Sequence, residues 1–434
     1  MNYFSLNKKA PNTSFKEAVV KGLAPDKGLY FPESITPLPT AFFENISTYS
    51  HEEIAFAAIQ QFVGDEIPEK ELKAIIAETL CFDFPVVPVD TNIGSLELYH
   101  GPTMAFKDVG ARFMARCLGY FNRKAQTQEE VTVLVATSGD TGGAVASGFL
   151  GVEGVNVVIL YPSGKVSDVQ EKQLTTLGQN IKALEVTGTF DDCQAMVKKA
   201  FLDSDLTAHM KLTSANSINI ARWLPQMFYF FFAYKQLKDK NKDLVFSVPS
   251  GNFGNICAGM MAQRLGLPIH HFVTGTNVNK VVPDYLKTGD YTPKPSVQTI
   301  SNAMDVGAPS NFIRIEELHD YKLDRLRANL SGFSYTDAEA TAAMGHLLKK
   351  LNYIAEPHGA IGYLALKNYL KTRPNAQGIF LETAHPIKFR DVLYPGVAEN
   401  LPIPPQIQAV MDLDKEAIAI GSYDELKSFL KGHC

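Results

Sequence analysis

Cysteine is scarce in this chain: 434 residues hold only Cys81, Cys117, Cys193, Cys257 and Cys434, with no C-x-x-C spacing and no histidine companion at metal-ligand distance. That argues against a disulfide scaffold and a thiolate metal centre, and points to reduced thiols in a cytoplasmic setting. Basic runs are missing as well. None is longer than two residues and the net charge is −5. A nucleic-acid footprint is therefore not expected, and an anionic ligand needs local donors rather than a general positive field. No apolar run reaches the roughly 18 residues that span a bilayer; the aromatic stretch Met227–Ala233 is far too short. The start, Met1-Asn-Tyr-Phe-Ser-Leu-Asn-Lys-Lys, lacks the basic head and apolar core of a signal peptide. Repeats and low-complexity tracts are also absent. What is present, 45% hydrophobic and 20% charged residues, is the composition of a soluble globular protein. At this length, two or three domains sharing one cleft are expected.

Patterning divides the chain. Residues 1–95 mix helical periodicity at His51–Phe62 and Glu69–Leu80 with a loop at Gly28–Pro39 and extended chain at Phe84–Val89. From residue 131, apolar strands, glycine turns and helices alternate. Strands are predicted at Val131–Ala136, Val155–Tyr161, Ile181–Val186, Leu244–Val248, Ile269–Thr274 and Gly378–Glu382. Their continuous rather than alternating apolar character calls for parallel sheets covered on both faces. The expected fold is therefore α/β: two open, doubly wound lobes with mostly parallel sheets, flanking a cleft, after a mixed N-terminal segment. The expected divisions are 1–95, a smaller domain at 96–225 carrying Lys107, and a larger one at 226–434. Ligands of such sheets bind beyond the carboxyl ends of the strands, and three motifs fall there.

Lys107 stands among Met104, Ala105, Phe106 and Val109. Partial burial disfavours an ammonium, so this amine is a candidate for Schiff-base chemistry with a substrate carbonyl or pyridoxal phosphate. Ser250-Gly-Asn-Phe-Gly-Asn255 follows a strand and precedes a helix, where glycines admit a phosphate and the helix end attracts it. The motif matches neither the dinucleotide fingerprint nor the P-loop. Ser138-Gly-Asp-Thr-Gly-Gly143 repeats the design and could hold a carboxylate or phosphate, with Asp140 alternatively a plain N-cap. Ser214 to Arg222 clusters amides, hydroxyls and a guanidinium suited to phosphate; otherwise Arg222 would be a surface residue in a salt bridge, with Ser217 and Asn219 as caps. In Glu382-Thr-Ala-His-Pro-Ile-Lys-Phe389, His385 before proline reads as a fixed loop residue. Thr383 offers a hydroxyl for a ring nitrogen. No residue is read as a metal ligand.

Taken together these motifs resemble the threonine synthase family, pyridoxal-phosphate enzymes of fold type II. The resemblance covers nearly the whole chain. It runs from Ser14-Phe-Lys-Glu-Ala-Val and Gly22-Leu-Ala-Pro-Asp-Lys-Gly-Leu-Tyr-Phe-Pro32 through Phe106-Lys-Asp108, Ser138–Gly142 and Asn216–Arg222. It continues through Gly251–Asn255, Ser301-Asn-Ala-Met-Asp-Val306 and Pro357-His-Gly to Thr383-Ala-His-Pro386. The resemblance implies that Lys107 is the Schiff-base lysine and that Phe106 lies against the cofactor. It implies that Gly251, Asn252, Phe253, Gly254 and Asn255 hold the cofactor phosphate and Thr383 faces the pyridine nitrogen. Asn216, Ser217 and Arg222, with Thr103, would bind substrate phosphate, and Ser138, Asp140 and Thr141 the substrate carboxylate. The implied reaction takes O-phospho-L-homoserine and water to L-threonine and phosphate, in a monomer or homodimer. A serine or threonine dehydratase shares the fold but has no need of a second phosphate site. A catalytically silent relative would have no need of Lys107. One departure is visible: Ile387 stands where family members commonly carry alanine, a packing change beside the cofactor loop.

Overall fold

A computed structural model describes residues 1–125, 130–237, 239 and 241–433. The chain opens with β1 (Asn2–Ser5), β2 (Thr13–Ser14) and β3 (Tyr30–Pro32), an antiparallel sheet in the order β2-β1-β3. The stretch Gly28–Pro39, expected as loop, thus contains a short strand. Tyr30, Phe31 and Pro32 are all buried, and long-range pairing with β1 overrides the proline signal. The two predicted helices form at His51–Val63, closed by a Ser50–Glu53 capping box, and Glu69–Thr79.

Two larger sheets follow. β4 (Val86–Asp90) and β5 (Ile93–Glu97) make an antiparallel hairpin. β6 (Val131–Ala136), β7 (Val155–Pro162), β8 (Ile181–Val186) and β9 (Lys211–Ser214) are parallel, as are β10 (Asp243–Pro249), β11 (His271–Thr276), β12 (Leu330–Ser334) and β13 (Ala376–Glu382). β14 (Ile418–Ile420) closes the series. Their orders are β12-β11-β10-β13-β5-β4 and β14-β8-β7-β6-β9. Every residue of β6 and β11 is buried, as strands covered on both faces require. Sheet membership crosses the linear divisions at 95 and 225: the N-terminal β4–β5 hairpin joins the six-stranded sheet, and β14 returns to the five-stranded one. Chain order does not fix non-local pairing.

Among the described residues, no helix is long and apolar enough to cross a membrane. Cys81, Cys117, Cys193 and Cys257 are free thiols; Cys434 lies outside the described residues. The adjacency that matters is β10 beside β13, because it brings the Gly251 loop and the Thr383 loop to one sheet edge.

Candidate active site

Lys107 begins the helix Lys107–Ala125. The preceding turn reverses at Met104, whose φ of 57° is left-handed. The turn is stitched to the segment after β13. Phe106 N–H donates to Thr383 O at 2.9 Å, His385 N–H donates to Met104 O at 3.0 Å, and Ala105 bridges Ala384. Sequence placed Lys107 and Thr383 in one site; the backbone joins them directly. Thr103 donates its N–H to Asp108 at 2.9 Å and its hydroxyl at 2.5 Å. That hydroxyl is therefore occupied in shaping the turn. Burial is the largest influence on the Lys107 amine and lowers it. Asp140 pulls it up, Lys388 and Arg222 push it down, and it settles at about 8.

The Gly251 loop leaves β10 and enters the helix Gly254–Arg264. A Cβ on Gly251 would lie 2.4 Å from Ala303 O, so only glycine lets the loops approach. Phe253, at φ 62°, turns left-handed to start the helix. Asn252 accepts from Ser310 N–H at 2.6 Å and donates to Ser217 Oγ at 3.0 Å, which also takes the Asn311 amide at 3.0 Å. Ser217, grouped by sequence with the substrate residues, thus sits against the Gly251 loop and serves as no cap. Asn255 donates to Pro249 O at 2.8 Å.

The Ser138 loop leaves β6 and enters the helix Asp140–Phe149. Gly139, at φ 137°, takes the N-cap position, and Asp140 is the first helical residue rather than the cap. Its carboxylate bonds Lys388 Nζ at 2.7 Å and the Gln170 amide at 2.9 Å. Burial pushes this carboxyl up, but Lys388 and Lys107 outweigh it and hold it at about 2. Thr141 lies in the first turn of the same helix.

Asn216 donates to Ala136 O at 3.1 Å, at the end of β6. Asn219 caps the helix Ile220–Trp223, accepting from Ala221 N–H at 3.0 Å. Arg222 is no surface residue: it is buried, its guanidinium donates to Ala215 O, and its Nε has no hydrogen-bond partner among the described residues. It packs on Gly110, where an added Cβ would lie 3.1 Å from that Nε. Burial lowers the guanidinium to about 10 against the pull of Asp108, so it stays charged at neutral pH.

Sequence reasoning missed Lys388. This lysine is fully buried, donates to Thr103 O at 2.9 Å as well as to Asp140, and accepts the Ser167 hydroxyl on its own carbonyl at 2.9 Å. Its only local signal was its place in the stretch after β13. Also missed was a buried acid–imidazole cluster next to Thr383. Glu382 accepts from Glu356 N–H at 2.8 Å, while its other oxygen has no partner among the described residues. Burial, then the Glu356 and Glu97 carboxylates, push Glu382 far above the carboxylate range. Glu356 caps the helix Pro357–Leu370 and takes the His358 imidazole. Ala303 N–H donates to His358 Nε2 at 3.2 Å, which fixes the tautomer with its proton toward Glu356. His385 accepts from Ile387 N–H at 3.1 Å, and burial first, then His100, lowers it to about 4. It is a neutral, fixed loop residue, as its place before proline suggested. Ile387 is buried with Met104, Val169 and Ile407, so the departure from alanine fills a contact behind the Lys107 turn.

Among the described residues, no group of three or more His, Cys, Asp or Glu side chains could hold a metal ion. Comparison with known proteins gives three family matches: pyridoxal-phosphate dependent enzyme at residues 95–379, threonine synthase N terminus at 2–80, and threonine synthase, C-terminal, at 359–430. The chain is 42% identical to the threonine synthase of Escherichia coli (strain K12) over 414 residues, 95% of each chain. It is 44% identical to that of Haemophilus influenzae over 408 residues, 93% of each. The crystal structure of the Escherichia coli protein superposes with a TM-score of 0.91 at 40% identity, over all of both chains. A structure described as PLP-bound threonine synthase from Brucella melitensis gives 0.92 at 33% identity, over 100% and 99%.

Proposed function

The chain belongs to the threonine synthase family of pyridoxal-phosphate-dependent enzymes, and from this we propose that its substrate is O-phospho-L-homoserine, converted with water to L-threonine and phosphate. The residues present fit the cofactor. Gly251 keeps a backbone approach that a Cβ would block, the helix after Phe253 offers its N–H groups, and a buried amine stands at Lys107. In this reading Gly251–Asn255, buttressed by Ser217, hold the cofactor phosphate, Lys107 its aldehyde carbon, Thr383 its ring nitrogen, and Phe106 lies against it. Bound there, pyridoxal phosphate supplies an electron sink for charge developing at the substrate α-carbon.

The chain's own residues do the rest. Lys107, its amine lowered by burial to about 8 and so half free of its extra proton at that pH, is the base for protons at Cα and Cβ. Arg222, buried and with an unfilled Nε donor, binds the phosphate with Asn216 and stabilises it as it leaves Cγ. Ser138, Thr141 and the backbone at Asp140 hold the substrate carboxylate. Thr103 acts indirectly, through Asp108. Thr383, a neutral hydroxyl, would give the ring nitrogen of the bound cofactor no carboxylate partner. Free thiols fit a cytoplasmic location.

The observation that carries the reading is the joining of Lys107 to Thr383 through the Phe106 and His385 backbone bonds, beside a second, separate cation at Arg222. A dehydratase of unphosphorylated amino acids has no use for that buried guanidinium. Purified protein given O-phosphohomoserine should release threonine and phosphate in equal amounts. Preferred deamination of serine or threonine, with no phosphate released from the ester, would replace this reading with the dehydratase one.

A further inference from the structure

Lys388 is paired with Asp140 inside a site whose family chemistry, as assembled above, gives it no part. It is completely buried on the segment after β13. Its Nζ lies 2.9 Å from Thr103 O, in the turn that delivers Lys107, and 2.7 Å from Asp140, at the start of the helix after β6. Its carbonyl takes the Ser167 hydroxyl, the N-cap of the helix Asp168–Thr175, whose Gln170 also binds Asp140. One residue of the six-stranded sheet's edge therefore ties down both the Lys107 turn and the first turn of a helix belonging to the five-stranded sheet. A lysine needed only for packing would not be buried charged, because an unpaired or merely tolerated ammonium costs several kcal/mol in such a setting.

We propose that Lys388 is a positioning residue: through Asp140 and Thr103 it fixes where the Lys107 amine sits and sets the charge it works against. The groups facing Lys107 are Asp140 from the Asp140–Phe149 helix, Lys388 from the segment after β13, Arg222 from the Ile220–Trp223 helix and His358 from the start of Pro357–Leu370. Asp108 follows on its own helix and is bound to Thr103. Removing Lys388 leaves the Asp140 carboxylate uncompensated, which favours the ammonium form of Lys107. Removing the Asp140 charge leaves Lys388 uncompensated, which favours the free amine. The two changes must therefore act in opposite directions.

The inference rests on Lys107 being the reactive amine, but its test needs neither cofactor nor substrate. Full-length protein freed of cofactor is pulsed with acetic anhydride across a pH series, and Lys107 labelling is located by peptide mapping. Lys388→Met should move the labelling midpoint up by about one unit, and Asp140→Asn down by about one unit. Lys388→Arg, which keeps the charge, should leave it near that of the native protein. The double variant Lys388→Met with Asp140→Asn should also restore the midpoint. Its kcat on O-phosphohomoserine should nonetheless stay low with KM little changed, because the clamp on Thr103 is gone. If Lys388→Met does not fold, Asp140→Asn and the double variant carry the same comparison. A loosened site would instead move both single variants upward, toward an ordinary lysine. Movement in one direction, or none, overturns the proposal. Inactivity of native protein on O-phosphohomoserine would sink the functional reading and leave this one standing.

Discussion

The loop after β6 and the loop after β10 share a design, an apolar parallel strand running into glycines and then a helix, yet they offer an anion different settings. The Gly251 loop has no acidic residue in the first turn of its helix. Its helix end is open to a dianion, with the Asn252 and Asn311 amides gathered on Ser217 behind it. The Ser138 loop begins its helix with Asp140, a buried carboxylate held at about 2. A helix start favours negative charge, and here a side chain already supplies it. A second dianion would meet that carboxylate at close range. With Lys388 neutralising it, the loop is left suited to a singly charged group reached through backbone N–H and hydroxyls. In the proposed function like backbones serve unlike anions, and the charge at the first helical residue makes the difference.

The comparison can be broken first at the residue between the loops. Lys107→Ala should abolish turnover, while the Gly251 loop still retains pyridoxal phosphate without a covalent bond. Borohydride reduction with peptide mapping reads the first effect and absorbance after gel filtration the second. Label appearing on another lysine would end the assignment.

Arg222→Ala should cost about 1.5–3 kcal/mol, roughly ten- to a hundred-fold in kcat/KM for the phosphorylated substrate, with cofactor affinity unchanged. Loss of cofactor at an unchanged KM would mean that the two phosphate sites have been exchanged.

The glycines then separate the loops. Gly251→Ala forces a methyl to 2.4 Å from Ala303 O and should weaken cofactor binding by about 1–3 kcal/mol, the usual cost of overpacking. Gly139→Ala meets Gln170 at 2.4 Å on a left-handed backbone and should instead raise KM for the amino-acid substrate. Paired equilibrium cofactor titrations and KM values decide whether each loop serves its own anion.

The smallest effect is in pH. Cofactor capture needs the free amine of Lys107, so its rate in cofactor-free protein should be flat above about 8. Below that value it should fall about tenfold per unit, as each proton-bound lysine is withdrawn. Stopped-flow absorbance across pH 6–9 measures it. The sign follows from burial: a lysine lowered in the fold is neutral above its folded value and charged below it. A midpoint near the ordinary lysine value would mean that the amine is solvated.

Much of the architecture was legible along the chain. The boundaries of β6 and β8 fall where Val131–Ala136 and Ile181–Val186 were predicted to begin and end; β6 is covered at every position, as its apolar run requires, while β8 exposes Lys182. The short partners β3, β9 and β12 were not legible, since a few residues that pair only at long range carry no period of their own. In the site, glycine loops after strands and an amine among apolar neighbours are local signatures and could be read. The N-cap at Asp140 and the surface salt bridge at Arg222 were reasonable local alternatives, and the fold disposed of both by burying the two side chains.

The sequence by itself therefore determined the alternation of strand, loop and helix, the apolar setting of Lys107 and the glycine loop after β10, because each is a property of a few consecutive residues. The tertiary structure alone decided which charges face one another. Thr103 and Lys388 are 285 residues apart, and Glu356 meets Glu382 only because a helix start and a strand end converge. Whether a buried ionisable group is charged, neutral or shared depends on the solvent excluded and the partner found at a few ångströms. Neither quantity exists until the chain has folded.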